Sequence, residues 1–301
     1  MMFSKTGWLL GAALALTTLS PLAAAQTKVD RVIAADVSGT VSITNVAGAI
    51  AVNGWDRAEV RATGTLGKGV ERLDFTRQGS RVVIKVILKR GNLPKGDGTA
   101  TLQISLPRAS RLEVSSVSAD VTADGISGTQ KISTVSGDLV AEIGKGGAEL
   151  QSVSGDAKLR GGAEGAKLRA STVSGDLMLR DGAGDIEIQT VSGDINAQLR
   201  QMRSGRVRTT SGDLELEAAL PSTATLDVET VSGDVEITAR AAGGMSIDAQ
   251  SFSGEISTCF GREGEPTSKY GPGKRLSMQT VEGGANLRIK TLSGDVSVCD
   301  R

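Results

Sequence analysis

DIEIQTVSGDINAQL, residues 185–199, places two short alternating runs on either side of one glycine. Ahead of it, Ile186, Ile188 and Thr190 share one face while Glu187 and Gln189 share the other. After it, Ile195, Ala197 and Leu199 take the apolar face. Period-two alternation over five or six residues predicts half-buried β-strands. The apolar positions are even-numbered before the motif and odd-numbered after it, so the phase slips by one residue between Thr190 and Val191. Counting back from Ile195 places Val191 and Gly193 inward and Ser192 and Asp194 outward. Glycine suits the sharpest point of a corner, and the short oxygens of Ser and Asp can satisfy corner N–H groups. The stretch reads as strand, corner, strand.

The corner recurs. TVSGDL stands at 134–139 and 172–177, TVSGDI at 190–195 and TVSGDV at 230–235; looser copies are SVSGDA (152–157), TTSGDL (209–214), SFSGEI (251–256) and TLSGDV (291–296). From Gly137 to Gly254 the motif glycines step by 18, 20, 18, 19, 21 and 21 residues. A second glycine cluster lies between successive copies, as in GKGG (144–147) and GGAEG (161–165). A unit of two strands and two corners, repeated about every 20 residues, predicts an all-β solenoid in which each coil buries the face of its neighbour. An antiparallel sandwich or barrel is the alternative, but the recurring SGD corner is not the Asn-Gly or Asp-Gly two-residue turn that hairpins favour. Residues 111–301 form the expected solenoid, with 261–275 (GREGEPTSKYGPGKR) as a loop excursion. Residues 26–110 are strand-like but irregular, as a capping section would be.

Residues 1–25 carry Lys5, an apolar run over Trp8–Leu19 and Ala23-Ala24-Ala25, the pattern of a secretory signal peptide cleaved after Ala25. The expected location is therefore periplasmic or secreted, with no transmembrane segment after cleavage. Lys5 is the only charge in that leader, leaving 33 basic against 34 acidic residues beyond it. Such a balance lacks the basic footprint of a nucleic-acid binder. Cys259 and Cys299 each fall five residues after a motif glycine, Gly254 and Gly294. An even cysteine count in an oxidising compartment predicts a disulfide, which requires their strands to be neighbours.

These features together resemble the bacterial putative-adhesin or β-strand-repeat family, a domain of unknown function. The similarity covers GTVSI…VAGAIAVNGWDRAEV (39–60), LQISLPRASRLEVSSVSADV (102–121), the serial SGD units and YGPGKRLSMQTVEGGANLRIKTLSGDVSV (270–298). The resemblance implies an envelope or secreted β-solenoid-like protein without established catalysis.

The acids are the residues that could carry chemistry. Stacked coils would align Asp138, Asp156, Asp176, Asp194, Asp213, Asp234 and Asp295 in one column. Neighbours about 4.8 Å apart repel by roughly 0.9 kcal/mol in water and prohibitively in a dry interior, so the carboxylates belong outside, bound to corner N–H groups. A polysaccharide-active enzyme on a β-helix would need two carboxylates in unlike environments, whereas these are near copies. The chain has no His, and beyond the leader its aromatics are Trp55, Phe75, Phe252, Phe260 and Tyr270. A calcium β-roll is the other alternative, but only one corner per coil carries a regular Asp. Trp55 is expected in the N-terminal cap. The bases Lys158, Arg160, Lys167, Arg169, Arg180, Arg206 and Arg208 are expected on a solvated face. The reading is a non-enzymatic scaffold or binding module with no cofactor, no metal and no catalytic residue, and with an unidentified envelope protein or surface polymer as partner.

Overall fold

The computed structural model describes residues 27–91, 96, 98–281 and 284–300, so the leader and its cleavage site lie outside the described residues. The N-terminal section supplies β1 (Thr27–Ala34), β2 (Thr40–Trp55), β3 (Glu59–Leu66), β4 (Val70–Gln78), β5 (Arg81–Leu88), β6 (Thr99–Pro107) and β7 (Arg111–Asp124). Next come β8 (Gln130–Thr134), β9 (Leu139–Ile143), β10 (Ala148–Ser154), β11 (Ala157–Gly161), β12 (Lys167–Ser174) and β13 (Leu177–Ser192). They are followed by β14 (Ile195–Ser211), β15 (Leu214–Leu220), β16 (Thr225–Ser232), β17 (Val235–Ala241), β18 (Met245–Ser253) and β19 (Ile256–Thr258). The chain closes with β20 (Glu265–Pro266), β21 (Lys274–Gln279), β22 (Ala285–Ser293) and β23 (Val296–Asp300). No helix occurs among the described residues.

The strands form two parallel stacks joined at the SGD corners, an all-β, solenoid-like architecture. In the first stack, Ile132, Leu150, Ala170, Ile188, Val207, Val228, Ile289 and Ala249 lie in register, one per layer, all buried. In the second, Ala141, Leu159, Leu179, Ala197, Leu216, Ile237 and Val298 do the same. Burying a large aliphatic side chain contributes about 1.5–3 kcal/mol. The core of the two stacks is thus built by repetition from aliphatic side chains, and Phe75 joins it in the N-terminal section. β2 already follows this two-stack course: Thr40–Asn53 pairs in parallel with Arg111–Asp124. Antiparallel pairs close the N-terminal end, β4 on β5 in the first stack and β1 on β3 on β6 in the second.

At the C-terminal end, spatial order departs from chain order. β22 lies between β16 and β18, and β23 lies between β17 and β19. The last coil in the chain is therefore the penultimate coil in space. β21 runs antiparallel along the outer edge of β18, so β21 and β22 straddle that strand. This insertion makes β19 and β23 neighbours, and the disulfide joins Cys259 to Cys299 with a Cα–Cα distance of 4.9 Å.

Candidate binding surface

At each SGD corner the chain turns through glycine, and the aspartate that follows is tied to the next coil. The Asp194 N–H donates to Oδ1 of Asp176 at 2.9 Å, and Oδ1 of Asp194 accepts from the Asp213 N–H at 2.9 Å. The same bond links Asp120, Asp138, Asp156, Asp176, Asp194, Asp213, Asp234, Asp295 and Glu255 in spatial order, at 2.8–3.1 Å. One oxygen of every carboxylate up to Asp295 thus caps a corner amide, and the side chains are exposed. Repetition gives these acids one shared environment, so no pair is set apart as acid and base. Among the described residues, no three His, Cys, Asp or Glu side chains converge as metal ligands.

The parity count fails at one residue. Val191 points outward and is 49% exposed, whereas the alternation placed it inward. Thr190 is buried and Ile195 is buried, but the three residues Val191, Ser192 and Asp194 between them all face solvent. The backbone swings through Gly193 at φ 145°, so strict alternation does not cross the corner. Every layer repeats this. Val117, Val135, Val153, Val173, Val191, Thr210, Val231, Leu292 and Phe252 form one outward column, whose apolar members are 45–56% exposed. With layers about 4.8 Å apart, nine layers give a stripe on the order of 40 Å long, apolar in every layer but that of Thr210.

Beside the stripe, on the same outer face of the first stack, runs a ladder of alternating charge. Its spatial order is Glu113, Lys131, Glu149, Arg169, Glu187, Arg206, Asp227, Arg288 and Asp248. Lys131 pairs with Glu149 at 3.1 Å, Arg169 with Glu187 at 2.7 Å and Arg206 with Asp227 at 3.8 Å. The hydrogen-bonded guanidinium of Arg169 holds the Glu187 carboxyl below the usual carboxylate range. Arg203 does the same to Asp185, and Arg208 to Glu229. Further out, Ser204, Thr225, Asn286 and Ser246 form a row of small polar side chains. That row and the charged ladder line a groove of about 710 Å³.

The bases expected on a single solvated face divide between the two stacks. Lys167, Arg169, Arg206 and Arg208 lie on the first, while Lys158, Arg160 and Arg180 lie on β11 and β13 in the second. Trp55 ends β2, half-buried, its Nε1–H donating to the Glu59 carbonyl at 2.9 Å. Sequence reasoning missed the stripe and the order of the ladder. The only signal for the stripe was the aliphatic residue ahead of nearly every SGD.

A family model described as Toastrack DUF4097 matches residues 17–207 and again residues 182–299. No curated protein matches the chain. Among solved structures, a protein of Parabacteroides distasonis ATCC 8503 described as a putative adhesin is 12% identical, with TM-score 0.48, covering 90% of this chain and 97% of its own. One from Bacteroides fragilis NCTC 9343, also described as a putative adhesin, is 12% identical, with TM-score 0.41 and coverage of 91% and 97%. A Parabacteroides distasonis protein described as a putative lipid binding protein is 13% identical, with TM-score 0.36 and coverage of 91% and 96%.

Proposed function

This chain belongs to the Toastrack DUF4097 family, and on that premise we propose that it is an exported, non-enzymatic binding module of the bacterial envelope. Its working surface is the outer face of the first stack. The observation that carries this reading is the outward column of half-exposed apolar side chains, interrupted at Thr210: exposed apolar patches rimmed by polar residues mark interaction sites. The flanking columns of Asp, charge pairs and small hydroxyls supply the polar rim that such surfaces use. The acids serve structure in this account, because their oxygens cap corner amides. The leader and the disulfide both fit an oxidising compartment, periplasmic or secreted. Within this reading, 26–110 caps the solenoid, 111–301 is the repeat body with SGD corners as its unit, and the partner is an envelope protein or surface polymer.

Photo-crosslinking on intact cells tests it. A photoreactive residue at Val191, on the stripe, should give a discrete crosslinked species, while one at Gln198, exposed on the second stack, should give none. Equal labelling from both positions, or from neither, would show that this face has no special role.

A further inference from the structure

The stripe and the ladder lie side by side on the first stack's outer face. They carry a more specific assignment, which rests on the reading of that face as the binding surface. From Glu113 to Asp248 the ladder holds five acids and four bases in strict alternation. A partner charged with one sign therefore meets about as much repulsion as attraction along it. A neutral partner gains nothing from the alternation. The bases are not used up by their neighbours: Lys131, Arg169 and Arg206 keep 51%, 50% and 53% of their side-chain surface exposed, and each has donors for more than one carboxylate. What fits such a ladder is a surface whose charge alternates with the same spacing of about 4.8 Å, displaced by one layer. That spacing belongs to stacked strands, and a second copy of this chain supplies both the spacing and the alternation.

Two copies laid face to face about a two-fold axis parallel to the strands set stripe on stripe and ladder on ladder, with the order of layers reversed. An axis passing through a layer would bring like charges together. An axis passing between two layers gives every overlapped ladder residue a partner of opposite sign, because reversing an alternating row about a midpoint exchanges acids with bases. Placed between the layers of Val191 and Thr210, it sets Glu187 on the partner's Arg206, Arg169 on the partner's Asp227 and Glu149 on the partner's Arg288. In the column between stripe and ladder, Gln189 meets the partner's Arg208 and Ser171 the partner's Glu229, so no like charges meet there. In the stripe, Val191 covers the partner's Thr210, Val173 meets the partner's Val231, and Val135 meets the partner's Phe252. Eight overlapping layers and three outward columns, about 4.8 Å and 6.8 Å apart, bury roughly 1,500 Å² over two copies, the size of a standard specific interface. We infer that the partner of this face is a second copy of the chain, held antiparallel in an isologous dimer.

Sedimentation velocity on the purified chain at about 1 to 100 μM, the weak end of the range for interfaces of this size, tests the assignment. The chain should sediment as a dimer. Changing Val173, Val191 and Val231 together to Ser should raise the dissociation constant at least about tenfold, and Lys158→Gln on the second stack should leave it unchanged. The antiparallel arrangement is read with bismaleimidoethane, a short thiol crosslinker, since the native cysteines are bonded to each other. Position 191 lies one layer from its own copy, so Val191→Cys should crosslink to itself. Position 252 lies seven layers, about 34 Å, from its copy, so Phe252→Cys should crosslink only when mixed with Val135→Cys. A monomer throughout, a dimer indifferent to the three serines, or a crosslink from Phe252→Cys alone would overturn the assignment. On cells, the species captured at Val191 should have twice the mass of the chain. Capture there of a species of another mass, with a monomer in the centrifuge, would sink the second copy alone and leave the binding face standing.

Discussion

Gly193 sits at φ 145°, and a Cβ added there would lie 2.3 Å from the carbonyl oxygen of Gly175. Gly175 and Gly212 repeat that contact against Gly155 and Gly193 at 2.5 and 2.3 Å. These three glycines are thus required twice, by conformation and by the closeness of the next coil. The aspartate is required less strictly, because only one oxygen is used. Asp194→Asn keeps an acceptor for the Asp213 N–H and should melt with the parent, whereas Asp194→Ala removes it and should lower Tm by about 2–4 °C, the shift per kcal/mol for a domain of this order. Thermal melts of the two variants, with and without chelator, check this; a drop on chelation would show that an ion holds the column. That the acids lie outside was legible from charge repulsion. That Val191 lies outside was not, because parity counting assumes a straight strand and Gly193 bends it.

Charge order on the first stack records the strand order. Followed along the chain, Asp227 is succeeded by Asp248 and then Arg288, which breaks the alternation. Followed through space, β22 sets Arg288 between the two aspartates, and every neighbour is opposite in sign. Stacking β18 directly on β16 would bring Asp248 against Asp227, so the ladder opposes that misregistered pairing. Arg288→Glu should accordingly cost about 1–2 kcal/mol, from two like-charge contacts near the surface, and Arg288→Gln distinctly less, as read from denaturant midpoints. Equal costs would mean that the alternation is incidental. The depressed carboxyls of Asp185, Glu187 and Glu229 stabilise the fold above the ordinary carboxylate range near pH 4. That contribution is lost as pH falls through their lower folded values. Tm should hold from pH 8 to about pH 5 and fall below about pH 4, less steeply in Arg169→Gln. The period and the alternation of these strands were plain in the sequence. Their order was not, because identical motifs in identical registers permit several stackings, and only long-range pairing chooses among them.

Over the whole molecule, both ends of the solenoid are closed by antiparallel strands, and the inserted C-terminal coil is fastened by Cys259–Cys299. The shared register of the two cysteines told of their pairing; the insertion that brings it about was hidden by the excursion at 261–275. The bond closes a loop of 40 residues, worth about 4 kcal/mol in the chain-entropy account. Purified protein should show no free thiol, and Cys259→Ser with Cys299→Ser should melt on the order of 10 °C lower. The most direct test of the binding face is retention of the purified chain on envelope fragments after Val173, Val191 and Val231 are all changed to Ser. These positions are already half exposed, so the variant should melt within a few degrees of the parent. Retention should fall at least about tenfold, while changing Lys158, Gln198 and Glu215 on the second stack should leave it intact. Undiminished retention by the valine variant would contradict it.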